Sequence, residues 1–276
     1  MKLNVLISTC DEGIFRVPAV LSTPREDVSY IISMQYSNEV FLQQIPAELY
    51  RRKDVSILPL DGLGLCRNRN NALRYATGDI AIIADDDVRY CDSYFDTIIE
   101  TFENDKELDI AQFKIKSLDG GFIKSYPDFS YTYPDVPYGM YITSPEIAIR
   151  ISTTKRHIYF DERFGLGSSH FICGEEEVLF ADAHRQGFTI KYIPQYAVEA
   201  PSNSTGTRTY TDKRVMMAKG AVNYYLHKST AWLRMFKFAL LGSIKRKGSF
   251  FKLLYYTYKG IYHYKKVAIY ESPIGR

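Results

Sequence analysis

Residues 80–88 read Ile-Ala-Ile-Ile-Ala-Asp-Asp-Asp-Val, a short apolar run that ends in three adjacent aspartates. A run of this length without helical periodicity is typical of a buried strand in a parallel sheet. Three similar runs precede it, at residues 3–9, 28–34 and 55–60, and a helical pattern at residues 66–76 follows the third. This alternation predicts an α/β fold with a doubly wound, mostly parallel sheet.

The second part of the chain is less regular. Residues 174–185 predict a helix that Gly187 ends, and three apolar segments predict strands: 110–115, 141–149 and 189–193. The segment 120–137 is rich in Gly, Pro, Tyr and Asp and predicts a long loop or hairpin.

Composition excludes several classes of protein. The 276 residues are 46% hydrophobic and 24% charged, as in a globular chain and unlike a disordered or collagen-like one. The four cysteines form no CxxC pair, which argues against a zinc cluster or a disulfide framework and favours reduced thiols in the cytoplasm. The N-terminal residues do not have the apolar core of a secretory signal.

The net charge of +3 conceals a basic segment. Residues 212–266 contain 13 Lys and Arg against one acidic residue, so the segment carries +12 and the remainder −9. It predicts two or three helices, divided near Gly220 and at residues 242–249. Basic residues interleaved with aromatic ones can bind nucleic acid or an anionic membrane surface. Because no nucleic-acid motif is present and the rest of the chain is acidic, the membrane is favoured.

Spanning the bilayer is not expected of this segment. Its most apolar stretch, 231–244, is interrupted by Arg234 and Lys237, whereas a spanning helix needs about 20 apolar residues. The alternative is that these helices pack their apolar faces on the rest of the protein and leave the basic side chains in water.

The three aspartates are the strongest chemical signal in the sequence. Adjacent carboxylates repel one another unless a cation or a polar ligand compensates them. In an extended segment Asp85 and Asp87 share a face, so they can bind one Mg²⁺ or Mn²⁺ ion, which in turn can bridge to a diphosphate. A solvated acidic turn is the alternative. A phosphatase site is disfavoured, because the first strand ends in Thr-Cys-Asp rather than in a nucleophilic aspartate pair.

An ordered series of motifs then resembles family-2 glycosyltransferases of the GT-A fold. The first three motifs are GLCRNRN at 64–70, ATGD at 76–79 and ADDD at 84–87. FDERFGLG at 160–167 and GEEE at 174–177 continue the series, and the resemblance extends over about residues 3–206. The combination is more specific than any one motif.

This resemblance implies an inverting, metal-dependent sugar transfer of the hexosyltransferase type from a nucleotide-diphosphate donor, with a UDP-sugar as the family's expectation. Arg69 matches the arginine that approaches the donor, and Thr9 and Asp11 match the end of the first strand, which surrounds the nucleotide. Asp85 and Asp86 are further donor-binding candidates. The ion, Mn²⁺ or Mg²⁺, is expected on Asp87, with Asp85 assisting.

The resemblance also implies a catalytic base. Inverting transfer needs a carboxylate to deprotonate the acceptor hydroxyl. Glu176 occupies the place of the aspartate in the family's Glu-Asp pair, and Glu175 that of its glutamate, so both remain candidates. The alternative is that these acids complement the positive end of a helix dipole.

Two positions depart from the family pattern. Many relatives carry a metal-binding histidine before a proline after the last strand, but here Ala200 precedes Pro201, so that Glu199, His170 or water would have to replace it. The aspartate that recognises the base is also missing, and Gln35 and Asn38 lie in its neighbourhood.

The sequence therefore predicts a GT-A catalytic domain at 1–211, with a nucleotide-sugar half (1–116) and an acceptor half (117–211), followed by a basic helical extension (212–276). The predicted enzyme transfers a sugar to a saccharide or lipid-linked saccharide in surface polysaccharide synthesis. It would lie in the cytoplasm, on the inner face of the cell membrane. A catalytically silent nucleotide-sugar or polysaccharide-binding protein of the same fold is the alternative. The sugar, the acceptor and the linkage are not encoded in any motif.

Overall fold

The strands of the computed structural model form one mixed sheet. The model describes residues 1–151, 158–202 and 208–271. Eight strands are present in these ranges, in the order β3-β2-β1-β4-β7-β5-β8-β6. Their bounds are β1 Leu3–Cys10, β2 Val28–Tyr36, β3 Val55–Asp61, β4 Ile80–Asp85, β5 Ile110–Ser117, β6 Tyr131–Thr132, β7 Ile147–Arg150 and β8 Ile190–Ala200. The predicted mostly parallel sheet is confirmed.

The described helices flank the sheet or follow it in the chain. Their bounds are α1 Val40–Gln43, α2 Ala47–Arg51, α3 Leu65–Arg74, α4 Asp92–Asn104, α5 Glu175–Arg185, α6 Lys213–His227, α7 Ala231–Ile244 and α8 Phe250–Tyr270. The last three form the helical C-terminal part. None of the described helices is both long and apolar enough to cross a membrane.

The chain divides into two compact units. The first contains residues 1–63, 67–158 and 182–202, and therefore the whole sheet. The second contains residues 64–66, 159–181 and 203–276, so that it joins the C-terminal helices to the segment that leads into α5. The predicted boundary at residue 211 stays a prediction, and residues 272–276 of the predicted extension lie outside the described ranges.

Parallel pairing in the first unit brings the carboxyl ends of four strands to one edge. β1 pairs with β2 and β4, and β2 pairs with β3, all in parallel. Ser8 faces Asp85 in this register, and Cys10 faces Gln35. β1, β2 and β4 are buried along most of their length, as is typical of parallel strands, whereas β3, at the edge of the sheet, is partly exposed.

The predicted strand at 141–149 is wrong in its first half. Ser144–Glu146 forms a 3-10 helix, and only Ile147–Arg150 is a strand, antiparallel to β4 and β5. The cause is a buried ion pair, since Glu146 is fully buried and contacts Lys124 Nζ at 2.6 Å. Tyr126 OH and Gln112 Nε2 also donate to its carboxylate. A buried charge with this many partners outweighs the β propensity of its apolar neighbours.

The predicted helix break near Gly220 is also wrong. Gly220 lies inside α6, which ends at His227. A Cβ at Gly220 would lie 1.9 Å from the Thr257 carbonyl oxygen of α8, and a Cβ at Gly260 of α8 would lie 1.9 Å from the Met217 carbonyl oxygen of α6. The two glycines therefore allow close backbone contact between α6 and α8, which outweighs their low helix propensity.

This contact can be tested by Gly220→Ala and Gly260→Ala. Each methyl group would force α6 and α8 apart, and we expect each to lower the free energy of unfolding by about 1–3 kcal/mol in urea titrations. Lys252→Ala, at an exposed position on α8, is the control. A Gly220→Ala protein as stable as the wild type would contradict the close packing.

Candidate active site

The three aspartates lie at the carboxyl edge of the sheet in the first unit. Asp85 ends β4, and Asp86 and Asp87 follow it in a turn. Their environments differ, because Asp86 is buried, Asp85 is partly exposed and Asp87 is exposed. The three carboxylates are therefore not equivalent, although they are adjacent in sequence.

Asp86 is held by two side chains from the beginning of the chain. Thr9 Oγ1, at the end of β1, donates to Asp86 Oδ2 over 2.6 Å. Arg16 donates from both Nε (3.1 Å) and Nη2 (2.6 Å) to Asp86 Oδ1. The hydrogen bond to Asp86 raises the pKa of the Arg16 guanidinium. Asp86 thus links β1 to β4, and Thr9 acts in this site through Asp86.

Gly13 leaves the space in which these groups meet. A Cβ at this position would lie 2.1 Å from Asp86 Oδ2 and 2.5 Å from Thr9 Oγ1. Any larger residue would therefore displace the carboxylate from β1. Arg16 and Gly13 were not predicted as site residues, because neither belongs to a motif and Arg16 follows β1 by six residues.

Asp85 is paired with the predicted donor-binding arginine. Arg69, buried on α3, donates from Nη2 to Asp85 Oδ1 over 3.0 Å. One residue earlier in α3, Asn68 Nδ2 donates to the Thr9 carbonyl oxygen over 2.9 Å. Asn68 thus ties α3 to the end of β1, and Arg69 and Asp85, which were both predicted as donor-binding residues, form an ion pair.

Asp87 differs from its neighbours because it makes no ion pair within the described part of the chain. Partial desolvation raises the pKa of its carboxyl group, and the nearby Asp85 and Asp86 charges raise it further, while Arg16 acts in the opposite direction. A positive charge next to Asp87 would relieve this repulsion.

Asp11 is committed to the loop that follows β2. Its Oδ1 accepts the Ser37 backbone N–H at 2.7 Å, and its Oδ2 lies 3.0 Å from Ser37 Oγ, which donates to it. The backbone of Asp11 has a φ of +48°, a left-handed conformation that aspartate tolerates better than most residues. Asp11 therefore shapes the end of β1 and β2.

Several buried polar atoms at the same sheet edge have no hydrogen-bond partner within the described ranges. They are Ser8 Oγ, Gln35 Nε2 and Asn68 Oδ1. Gln35 lies at the end of β2, at the position where the sequence lacks the expected aspartate. Buried polar groups are rarely left unsatisfied, so unpaired donors and acceptors indicate a place where a ligand or ordered water binds.

The predicted catalytic glutamates begin α5, in the second unit. Gly174 precedes them with a φ of +99°, and a Cβ there would lie 2.3 Å from Val222 Cγ2 of α6. Glu175 is buried and Glu176 is half-buried. Burial raises the pKa of the neighbouring Cys173 thiol, and the charges of these glutamates raise it further. Three carboxylates in the first turn also complement the helix dipole.

The two side chains considered as substitutes for the missing histidine are engaged elsewhere. Glu199 accepts hydrogen bonds from Tyr94 OH at 3.0 Å and Lys116 Nζ at 2.9 Å, and the Lys116 contact lowers its pKa. In the second unit, His170 Nε2 lies 2.7 Å from Glu271 Oε2 and its Nδ1 lies 3.3 Å from His263 Nε2. No group of three or more His, Cys, Asp or Glu residues in the described ranges could hold a metal ion.

Solved structures with the same fold include several of S. aureus TarS. TarS residues 1–349 match with a TM-score of 0.62 and 16% identity, over 97% of this chain and 90% of that one. The same fragment in complex with UDP-GlcNAc matches with a TM-score of 0.56 and 18% identity, over 86% and 71% of the two chains.

A longer TarS chain matches with a TM-score of 0.57 and 19% identity. The match covers 88% of this chain but only 44% of that one, so this protein corresponds to less than half of the longer TarS. At these identities the likeness establishes the fold. A comparison with curated proteins gave no match.

The family assignment comes from the sequence itself. The model described as "Glycosyl transferase family 2" matches residues 19–168, which is more than half of the 276-residue chain. This range contains Arg69 and the three aspartates. The chain therefore belongs to glycosyl transferase family 2.

Proposed function

We propose that the protein is an inverting glycosyltransferase that takes a sugar from a nucleotide-diphosphate donor, with UDP as the nucleotide. The observation that carries this proposal is the sheet edge at which Asp85, Asp86 and Asp87 meet Arg16 and Arg69. Family membership supports the reaction type. Uridine as the base is supported by the TarS fragment in complex with UDP and with UDP-GlcNAc.

The donor's diphosphate would bind beside Asp87. Arg69 and Arg16 supply positive charge next to the aspartates, and their ion pairs offset two of the three carboxylates. Gln35 Nε2 is a buried donor suited to a carbonyl oxygen, and uracil offers two such oxygens. We therefore assign the base to the end of β2 and the phosphates to the region of β4.

A divalent cation, Mn²⁺ or Mg²⁺, fits the carboxylates at this edge. Asp87 would be its main ligand and Asp85 would assist, since Asp85 is partly exposed next to Asp87 and accepts from Arg69 through Oδ1. Because no cluster of three protein ligands exists in the described ranges, the remaining oxygens would come from the diphosphate and water, as is usual for Mg²⁺. When bound, the cation would offset the charge of the leaving diphosphate.

The acceptor hydroxyl would lose its proton to Glu176. Its half-buried carboxylate is more accessible than that of the buried Glu175, which remains the second candidate. The acceptor is proposed to be a saccharide or lipid-linked saccharide in surface polysaccharide synthesis, at the cytoplasmic face of the membrane.

A panel of nucleotide sugars, screened for Mn²⁺-dependent hydrolysis, would identify the donor. If none is bound or hydrolysed, the proposal fails. Binding without turnover would instead favour a catalytically silent binding protein.

Cation-dependent donor binding should depend on Asp87. Asp87→Asn removes the carboxylate that is assigned to the cation. We expect UDP-sugar affinity in the presence of Mn²⁺, measured by calorimetry, to fall at least about tenfold. Asp135→Asn, which changes an exposed aspartate elsewhere in the first unit, should leave affinity unchanged. Equal wild-type affinity with excess chelator and with Mn²⁺ would contradict the cation's role.

The same binding should weaken in mild acid. The pKa of Asp87 is raised, so its carboxylate takes up a proton at a higher pH than an ordinary aspartate and then cannot bind a cation. We expect Mn²⁺-dependent UDP affinity to decrease as the pH falls, with a midpoint above about 4, the usual aspartate value. Asp87→Asn should abolish this pH dependence. A wild-type midpoint at or below the ordinary value would refute the assignment.

Glu176→Gln should separate binding from catalysis. We expect donor affinity to be retained and the turnover number to fall about 10²–10⁴-fold, because the amide cannot accept the acceptor's proton. Glu177→Gln, in the same helical turn, is the matched control. Near wild-type turnover by Glu176→Gln together with an inactive Glu175→Gln would assign the base to Glu175.

A further inference from the structure

Helices α7 and α8 of the second unit each expose large apolar side chains. On α8, Phe251, Tyr255 and Tyr262 are 80%, 60% and 58% exposed. On α7, Leu233 and Ile244 are 74% and 67% exposed. The α8 residues follow one another at helical spacing, so they form a stripe along one side of the helix. Exposed apolar patches of this kind mark interaction surfaces.

Aromatic contacts join the two helices along this surface. Trp232 of α7 packs edge-on against Tyr258 of α8, with 4.8 Å between ring centroids. Phe236 of α7 contacts Phe250 at 5.5 Å, and Phe250 contacts Phe251 at 5.3 Å. The surface formed by these rings and the exposed stripe is called the α7–α8 face below.

The α7–α8 face contains an apolar groove of about 670 Å³. Its lining consists mainly of Trp232 and the α8 residues Phe251, Tyr255, Tyr258 and Tyr262. Its charged lining residue is Lys259. Tyr258 OH donates to the Trp232 carbonyl oxygen over 3.1 Å and so ties α8 to α7 within the lining of the groove.

The charge around this face has one sign. Residues 213–270 contain 13 Lys and Arg and no Asp or Glu. Lys252 and Lys259 are exposed on α8, within the length of the apolar stripe. Tyrosine and tryptophan are the residues that favour the boundary between head groups and acyl chains, and basic residues near them attract anionic lipids.

We infer that the α7–α8 face docks on an anionic phospholipid bilayer, with both helices lying in the plane of the head groups. The aromatic stripe would enter the acyl boundary, the groove would receive part of an acyl chain, and Lys252 and Lys259 would contact lipid phosphates. The inference rests on the proposed function, which places the protein at the cytoplasmic face of the membrane. It adds that the α7–α8 face is the surface that contacts the lipid.

A second copy of the chain fits this face less well. Self-association through one face would bring two sets of like charges together, at a cost in free energy, with no acidic residue in 213–270 to pair with them. A bilayer rich in anionic lipid offers the opposite charge and an apolar interior at the same place.

Vesicle sedimentation tests the inference with the full chain. We expect binding to phosphatidylglycerol vesicles at low salt and much weaker binding to phosphatidylcholine vesicles. Phe251→Ser/Tyr255→Ser should reduce the partition coefficient by roughly tenfold at any salt concentration, because it removes apolar contact. Phe122→Ser/Tyr138→Ser, at exposed positions in the first unit, is the matched control and should bind as the wild type does.

Reversing the charge of the lysines on α8 should weaken vesicle binding in a salt-dependent way, unlike the loss of the aromatic rings. Lys252→Glu/Lys259→Glu should reduce partitioning at least about 25-fold at low salt, since each lysine near the surface contributes about a fivefold factor. The difference from wild type should shrink at about 0.5 M salt, where exposed charges are screened. Lys53→Glu/Lys106→Glu, at exposed positions in the first unit, is the charge-matched control.

Three results would overturn the inference. They are a folded wild-type protein that stays in the supernatant with anionic vesicles at low salt, equal losses in the control variants, and a wild-type dimer that Phe251→Ser/Tyr255→Ser converts to monomer in the absence of vesicle binding. Hydrolysis of the donor in free solution, measured in parallel, keeps the two proposals separate. Vesicle binding without any turnover would leave this surface supported and the proposed function refuted.

Discussion

Repulsion among three adjacent carboxylates is the constraint on which the site depends. Asp85 ends a strand that is buried on both faces, and Asp86 is itself buried, so water alone cannot offset the repulsion among the three charges. The fold compensates two of them with Arg69 and Arg16 and leaves Asp87 with a raised pKa. Because Arg16 and Arg69 offset the charges of Asp86 and Asp85, a further cationic group is stabilised most beside Asp87.

Most of the sheet could be predicted because its central strands are buried, and a buried strand is visible in the sequence as a short apolar run. β1, β2 and β4 are mainly apolar and buried, and the parallel pairing of β1 with β4 brings Thr9 close to the aspartates at the end of β4. Arg69 reaches Asp85 from helix α3. Arg16 was not predictable in the same way, since its role depends on a tertiary contact with Asp86 and on the space left by Gly13. Arg16 and Asp86 are 70 residues apart, so no local sequence pattern predicts their ion pair.

The errors in the predicted elements have the same origin. The first half of the predicted strand at 141–149 is a 3-10 helix because Glu146 is held by Lys124, Tyr126 and Gln112. Gly220 is helical because α8 approaches its backbone. In both places a residue that weakens the local pattern is required by a partner far away in sequence. The exceptions to local rules therefore locate the contacts that organise each unit.

Helix α8 has apolar side chains on two sides, and among the described residues one of these sides is buried and the other is exposed. Leu253, Thr257, Gly260 and Tyr264 are buried, and α6 approaches closely enough to require glycine. Phe251, Tyr255 and Tyr262 face outward, and exposing these apolar rings to water is unfavourable in free energy. A helix side that exposes several large apolar side chains is normally covered by protein or by lipid. All charged side chains of residues 213–270, histidine aside, are basic. An anionic head-group layer offers lipid phosphates to these side chains, and the acyl boundary beneath it offers apolar surroundings to the aromatic rings.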